Sequence, residues 1–302
     1  MRLRALARKA VARLPIIGSL YEEHRLYRTP FPPGHYSNPY PSLTEISKWE
    51  ERIFTAGDTV PGVDLRLPDQ LRLLNQLSAY YQELPFPEER DASIRYYFRN
   101  PMFAYADGVF LYSVLRHFRP TTVIEIGSGF SSALMLDVAE RFLDPQPQFT
   151  FVDPTPTRLE ALLSVDDRKR VRIFATPVQE VPLTLFDRLG ENDILFLDTS
   201  HIAKTGGDVT FELFEILPRL KPGTIVHIHD IPYPFEYPRE WVYAQRGYNE
   251  AYFVRAFLMY NDAFRIALFP SHLIRTDRQW FERHMPLCLR NPGGSLWLSK
   301  VR

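Results

Sequence analysis

Two short runs carry the side chains best able to do chemistry. Asp198-Thr-Ser-His201 sets an acid three residues before a histidine, and His227-Ile-His229-Asp230 sets two alternating histidines before a second acid. Three of the chain's eight histidines fall in this window. An imidazole titrating near neutrality takes up and releases protons reversibly, the property a general base needs. A third run, Val123-Ile-Glu125-Ile-Gly127-Ser128-Gly129-Phe-Ser-Ser132, is apolar up to an acid and then turns on two glycines. A strand that stops at glycines turns tightly and leaves helix N–H groups facing a ligand, which suits a nucleoside-type cofactor. Ser132 stands where the dinucleotide fingerprint has its third glycine, which argues against a nicotinamide enzyme. Asp153 ends the next apolar run, where a carboxylate can accept hydrogen bonds from ribose hydroxyls.

These groups act together only if several strand ends meet. Apolar runs predict strands at 122–126, 149–153, 171–174, 193–198, 224–230, 264–269 and 295–299. Helical spacing joins Leu111, Leu115 and Phe118, then Leu134, Val138 and Phe142, then Val209, Leu213, Leu217 and Leu220, with a further helix around 249–260. Strands alternating with helices imply an α/β fold, a Rossmann-like doubly wound sheet of seven strands, mostly parallel. The last two strands show no helix signal between them and suit an antiparallel edge. In such sheets the carboxyl ends of the strands line the ligand crevice, so the acids at those ends should converge. His227 and His229 share one face of their strand. Residues 233–238 (YPFEYP) and Trp241 follow the fifth strand and should wall the site. Glu250 opens the next helix, where it could meet an acceptor hydroxyl; an acid at a helix N-terminus is also favourable without any ligand.

Residues 1–100 read as an N-terminal cap, with a proline-rich segment at 29–42 expected to be extended, and residues 101–302 as the main domain. Residues 1–14 carry Arg2, Arg4, Arg8, Lys9 and Arg13 without an acid, beside Leu3, Leu6, Ala10 and Leu14 at helical spacing. Two readings stay open for them, a solvated helix and a basic amphipathic helix making peripheral contact with an anionic membrane.

From about residue 101 onward the chain resembles class I S-adenosylmethionine (SAM)-dependent methyltransferases, through VIEIGSGFSS, FTFVDP, LFLDTSH and LKPGT. The resemblance implies strand order 3-2-1-4-5-7-6 with the last strand reversed. It also implies that Gly127, Ser128 and Gly129 approach the methionine part of SAM, that Asp153 binds the ribose, and that Glu125 receives the amino group. Within that superfamily the strand ends look like the metal-dependent O-methyltransferases of the catechol and macrolide-sugar types. Carried over by position, Asp198, His229 and Asp230 would hold a divalent ion and His201 would be the general base. His229 departs from that pattern, which usually has an oxygen donor there. Magnesium takes imidazole reluctantly, so manganese, iron or zinc would suit the set better, and a metal-free site with a histidine acting alone stays open.

Composition narrows the alternatives. A 302-residue chain with 45% hydrophobic residues can bury a full core. Zero formal charge argues against a nucleic-acid binder. The single cysteine, Cys288, excludes an internal disulfide and fits a cytoplasmic setting. The leading expectation is a SAM-dependent O-methyltransferase acting on a small acceptor such as a sugar or polyketide-like metabolite, with Glu250 and Trp241 against the acceptor. Its rivals are a metal- or nucleotide-using oxidoreductase or hydrolase on the same fold, and a non-catalytic membrane-peripheral binding protein.

Overall fold

Seven strands form where the apolar runs lie: β1 (Thr122–Ile126), β2 (Gln148–Val152), β3 (Arg172–Phe174), β4 (Ile194–Leu197), β5 (Ile225–Ile228), β6 (Phe264–Leu268) and β7 (Leu296–Lys300). This computed structural model describes residues 30–55, 57 and 59–302; the basic stretch 1–14 lies outside them. The helices are α1 (Leu43–Phe54), α2 (Leu67–Ser78), α3 (Ala106–Phe118), α4 (Phe130–Phe142), α5 (Thr157–Leu162), α6 (Asp167–Arg170), α7 (Asp208–Phe211), α8 (Arg239–Tyr243), α9 (Glu250–Leu258), α10 (Pro270–Thr276) and α11 (Arg278–His284). Among the described residues no helix is long and apolar enough to cross a membrane.

The strands join in the order β3-β2-β1-β4-β5-β7-β6. Strands β1 to β5 pair in parallel, and β7 runs antiparallel to both β5 and β6. This is the order that the resemblance implied, with the reversed last strand β7 inserted between β5 and the edge strand β6. The link between β6 and β7 differs from expectation. Pro270 starts α10 in its first turn, and Asp277 caps α11 by accepting from Trp280 N, so two helices bridge β6 and β7.

Period-two alternation divides the core. Val123, Ile194, Phe196 and Ile225 face one apolar layer with α3 and α4. Ile124, Leu195, Leu197, Val226 and Ile228 face the other, with residues 209–220 and α9. His227 lies on the first face, its ring 3.8 Å from that of Phe196. The helix expected over 209–220 is α7 continued by a π-helical turn at Glu212–Ile216 and a 3-10 turn at Leu217–Arg219. Pro218, which has no N–H to donate, lies where the regular ladder gives way.

The chain divides into two compact units, one of residues up to Ile53 with Tyr243–Gly247, the other Phe54–Val242 with Tyr248–Arg302. In the first, the proline-rich segment turns repeatedly before α1, and Tyr243 Oη donates to Glu50. Residues 54–100, expected with the cap, cluster with the sheet instead. The reason is burial: Leu74 and Leu77 enter the core, and Gln70 Oε1 accepts from Phe269 N at 2.8 Å. Arg95 adds a charged clamp onto Asp137, Glu140 and Asp167.

Candidate active site

The β1 turn is shaped from beneath by its acid. Glu125 is fully buried, and Ser131 Oγ and Ser132 Oγ each donate to one of its carboxylate oxygens. Ser132 Oγ also accepts from Gly129 N at 3.0 Å, so the acid braces the turn through the serines. Burial pushes the Glu125 carboxyl up to about 8, although the serine bonds pull it back. Gly127 has φ +81°, and a Cβ there would sit 1.7 Å from the Asp198 carbonyl oxygen. Only glycine allows the β1 turn to lie on the end of β4 in this way.

Asp153 follows β2 immediately. Its Oδ2 accepts from Ser128 N at 3.0 Å and Ser128 Oγ at 2.9 Å, and its Oδ1 accepts from Thr155 N at 2.7 Å. The carboxylate thus joins the glycine turn to the end of β2. Gripping two ribose hydroxyls there would displace Ser128 Oγ, because a carboxylate offers about four lone-pair sites in all.

The β4 and β5 ends meet at His201. Its Nε2 lies 3.5 Å from Asp198 Oδ1 and 3.5 Å from Asp230 Oδ2, and its Nδ1 lies 2.9 Å from Glu250 Oε2. Burial alone would lower its pKa, but the bonds to Asp198 and Glu250, with the charges of Glu250 and Asp230, push it up to about 11. A pKa raised that far makes His201 an imidazolium at neutral pH, among three carboxyl groups. Burial opposes charge at Asp198 as well, yet His229 and His201 hold its carboxyl below the usual range. Burial raises the Glu250 carboxyl, and the bond to His201 pulls it back. His201 and Asp230 both adopt left-handed backbone, with φ of 58° and 54°. Non-glycine residues avoid that region unless the surrounding structure fixes them, and functional sites are where it recurs.

The structure brings Asp198, His201, Asp230 and Glu250 together. It does not assemble Asp198, His229 and Asp230 as a ligand set, and among the described residues no group of three His, Cys, Asp or Glu side chains is arranged to hold a metal ion. The reason is geometric. His201 Nε2 stands between the two aspartates, while His229 Nδ1 faces His227 Nε2 at 3.4 Å and His229 Nε2 lies 3.7 Å from Asp230 Oδ1. Glu250, expected against the acceptor, is buried against the histidine. Trp241 is half-buried, and its ring lies 5.8 Å from that of Tyr248, which in turn lies 5.1 Å from His201.

Two further acids escaped the sequence reading. Asp107, in the first turn of α3, accepts from Gly294 N at 3.1 Å and Ser295 Oγ at 2.6 Å, and its charge acts on His229. Glu212 is buried in the π-helical turn with Oε1 unpartnered, and burial beside Glu250 and Asp208 raises its carboxyl well above the usual range. Its signal in the sequence is an acid between Phe211 and Leu213 on an otherwise apolar helix.

Residues 124–231 match the family model of a methyltransferase domain. An uncharacterized protein of Archaeoglobus fulgidus is 32% identical over 168 residues, which cover 54% of this chain and 76% of that protein. Among solved structures, the SAH-bound methyltransferase PaMTH1 of Podospora anserina is 14% identical at TM-score 0.43, covering 91% of this chain and 100% of that one. The O-methyltransferase TomG of Streptomyces achromogenes, solved with SAM, is 13% identical at TM-score 0.41, covering 85% and 96%.

Proposed function

The chain belongs to the methyltransferase-domain family of class I, and from that premise we propose that it moves the methyl group of SAM to a hydroxyl of a small organic acceptor. One observation carries the reading: His201 Nε2 lies 3.5 Å from both Asp198 and Asp230 while Glu250 Oε2 lies 2.9 Å from Nδ1. That is the arrangement of a general base oriented by a buried acid.

SAM supplies a methyl group on a cationic sulfur; in the displacement the acceptor oxygen bonds the methyl carbon, the sulfur keeps the electron pair, and a proton must leave the oxygen. His201 takes that proton at Nε2. It must first be neutral, and a further positive charge sharing its carboxylates lowers its hold on the resting proton. Glu250 then keeps the remaining proton at Nδ1, which leaves the Nε2 lone pair toward the acceptor. Alignment of acceptor and methyl group can supply about 7–11 kcal/mol, so the residues that shape the crevice matter as much as the base. Tyr248, Tyr237 and Trp241 form an aromatic wall beside His201 that suits a hydroxylated acceptor with apolar faces, such as a sugar or polyketide-like metabolite. No step is assigned to a metal ion, because the residues expected to hold one are turned to other partners.

The test is calorimetric titration with SAM and its demethylated product, followed by a screen of hydroxylated acceptors read by product release. His201→Ala should lower turnover about 10²–10⁴-fold while cofactor affinity stays near wild type. Equal losses in both would sink the assignment of His201, and a protein that binds neither nucleoside would sink the reading.

A further inference from the structure

Arg158, in the short helix α5 just past β2, lies across the glycine turn. A Cβ on Gly129 would stand 2.9 Å from Arg158 Cδ and 3.7 Å from its Nη1. The φ of Gly129 is 171°, which any residue reaches, and a Cβ there would have to push the arginine stem aside. The arginine stem rests on the bare backbone, and the guanidinium extends just beyond it. No hydrogen bond or ion pair fixes that guanidinium among the described residues, unlike Arg95, which three carboxylates share. Its charge still reaches the crevice, where it helps keep Asp198 ionised.

The strand ends around it are acidic: Asp153, Asp198 and Asp230 all stand partly exposed there. Such a crevice attracts the sulfonium and ammonium groups of SAM but repels the carboxylate of the same amino-acid tail. A zwitterionic tail at the glycine turn therefore calls for a cation within reach of that turn. Arginine meets a carboxylate with two parallel N–H donors, the geometry best suited to the task.

We propose that Arg158 binds the carboxylate of the cofactor's amino-acid tail over Gly129. The assignment rests on the methyltransferase reading. A carboxylate on an acidic acceptor would offer the same chemistry, so the test is run without acceptor. The full chain is titrated calorimetrically with S-adenosylhomocysteine and with 5′-methylthioadenosine, which keeps the nucleoside and thioether but lacks the amino-acid tail. Arg158→Gln should weaken S-adenosylhomocysteine about 10- to 100-fold and leave methylthioadenosine unchanged, with Arg158→Lys between. The side chain is exposed, so thermal melting should show both variants folded as wild type. Equal loss for both ligands would place Arg158 on the nucleoside and overturn the assignment. No loss for S-adenosylhomocysteine would overturn it too. Wild-type protein binding neither ligand would overturn the cofactor reading and this assignment with it.

Discussion

Glu250→Gln removes one of the three carboxylates around His201 and changes little in shape. Both side chains are buried, and the bond between them spans 2.9 Å. A hydrogen bond to a charged partner contributes about 1.5–3 kcal/mol, and one pKa unit is worth about 1.4 kcal/mol, so losing the Glu250 charge should lower His201 by about 1–2 units. Starting from about 11, the imidazole would then titrate at about 9–10, since Asp198 and Asp230 remain 3.5 Å from Nε2. The sign for stability follows. A histidine raised in the folded state contributes stability that is fully present below its unfolded value of about 6.5 and is lost as pH rises through the folded value. The variant should therefore melt lower than wild type at neutral pH, and the gap should close toward pH 11. Nitrogen NMR of the labelled imidazole across pH measures the shift directly, with melting curves alongside. A His201 that titrates in the variant where it does in wild type would refute the claim that Glu250 holds its proton.

Three other outcomes follow from the same geometry. Gly127→Ala puts a methyl group 1.7 Å from the Asp198 carbonyl oxygen at a φ of +81°, so it should lower the melting temperature and abolish S-adenosylhomocysteine binding by calorimetry; an unchanged Kd would contradict the packed turn. Glu125→Gln tests the buried acid. A carboxyl raised to about 8 contributes stability that is complete below about 4.5 and is lost as pH rises through 8, so wild type should weaken relative to the glutamine variant between those values in pH-dependent melting. Since His201 fills the space between Asp198 and Asp230, turnover should be the same in EDTA as in added manganese or magnesium, and a rate that collapses in EDTA would restore the metal reading.

What the sequence made legible is what depends on neighbours along the chain. Glu125, Asp153, Asp198 and Asp230 announce themselves as the last residues of apolar runs, and strand ends in a doubly wound sheet share one edge, so their convergence follows from topology. Alternation alone put His227 and His229 on one face. The partnership of His201 with Glu250 is of another kind: it joins residues 49 positions apart, and nothing in either local pattern pairs them. The burial of Leu74 and Leu77 is likewise a matter of which sheet edge was left open, which is why residues 54–100 read as a cap. The sharpest limit concerns charge. Two aspartates and two histidines at adjacent strand ends have the same composition whether a metal ion or a proton holds them together. A protonated imidazole and a bound divalent ion both answer the repulsion between Asp198 and Asp230, so spacing cannot separate them. In the folded chain His201 Nε2 lies 3.5 Å from both carboxylates, so a side chain of the protein itself stands where such a cation is needed. In the methyl transfer proposed above, a base held that way gives up its resting proton more readily once another positive charge shares its carboxylates.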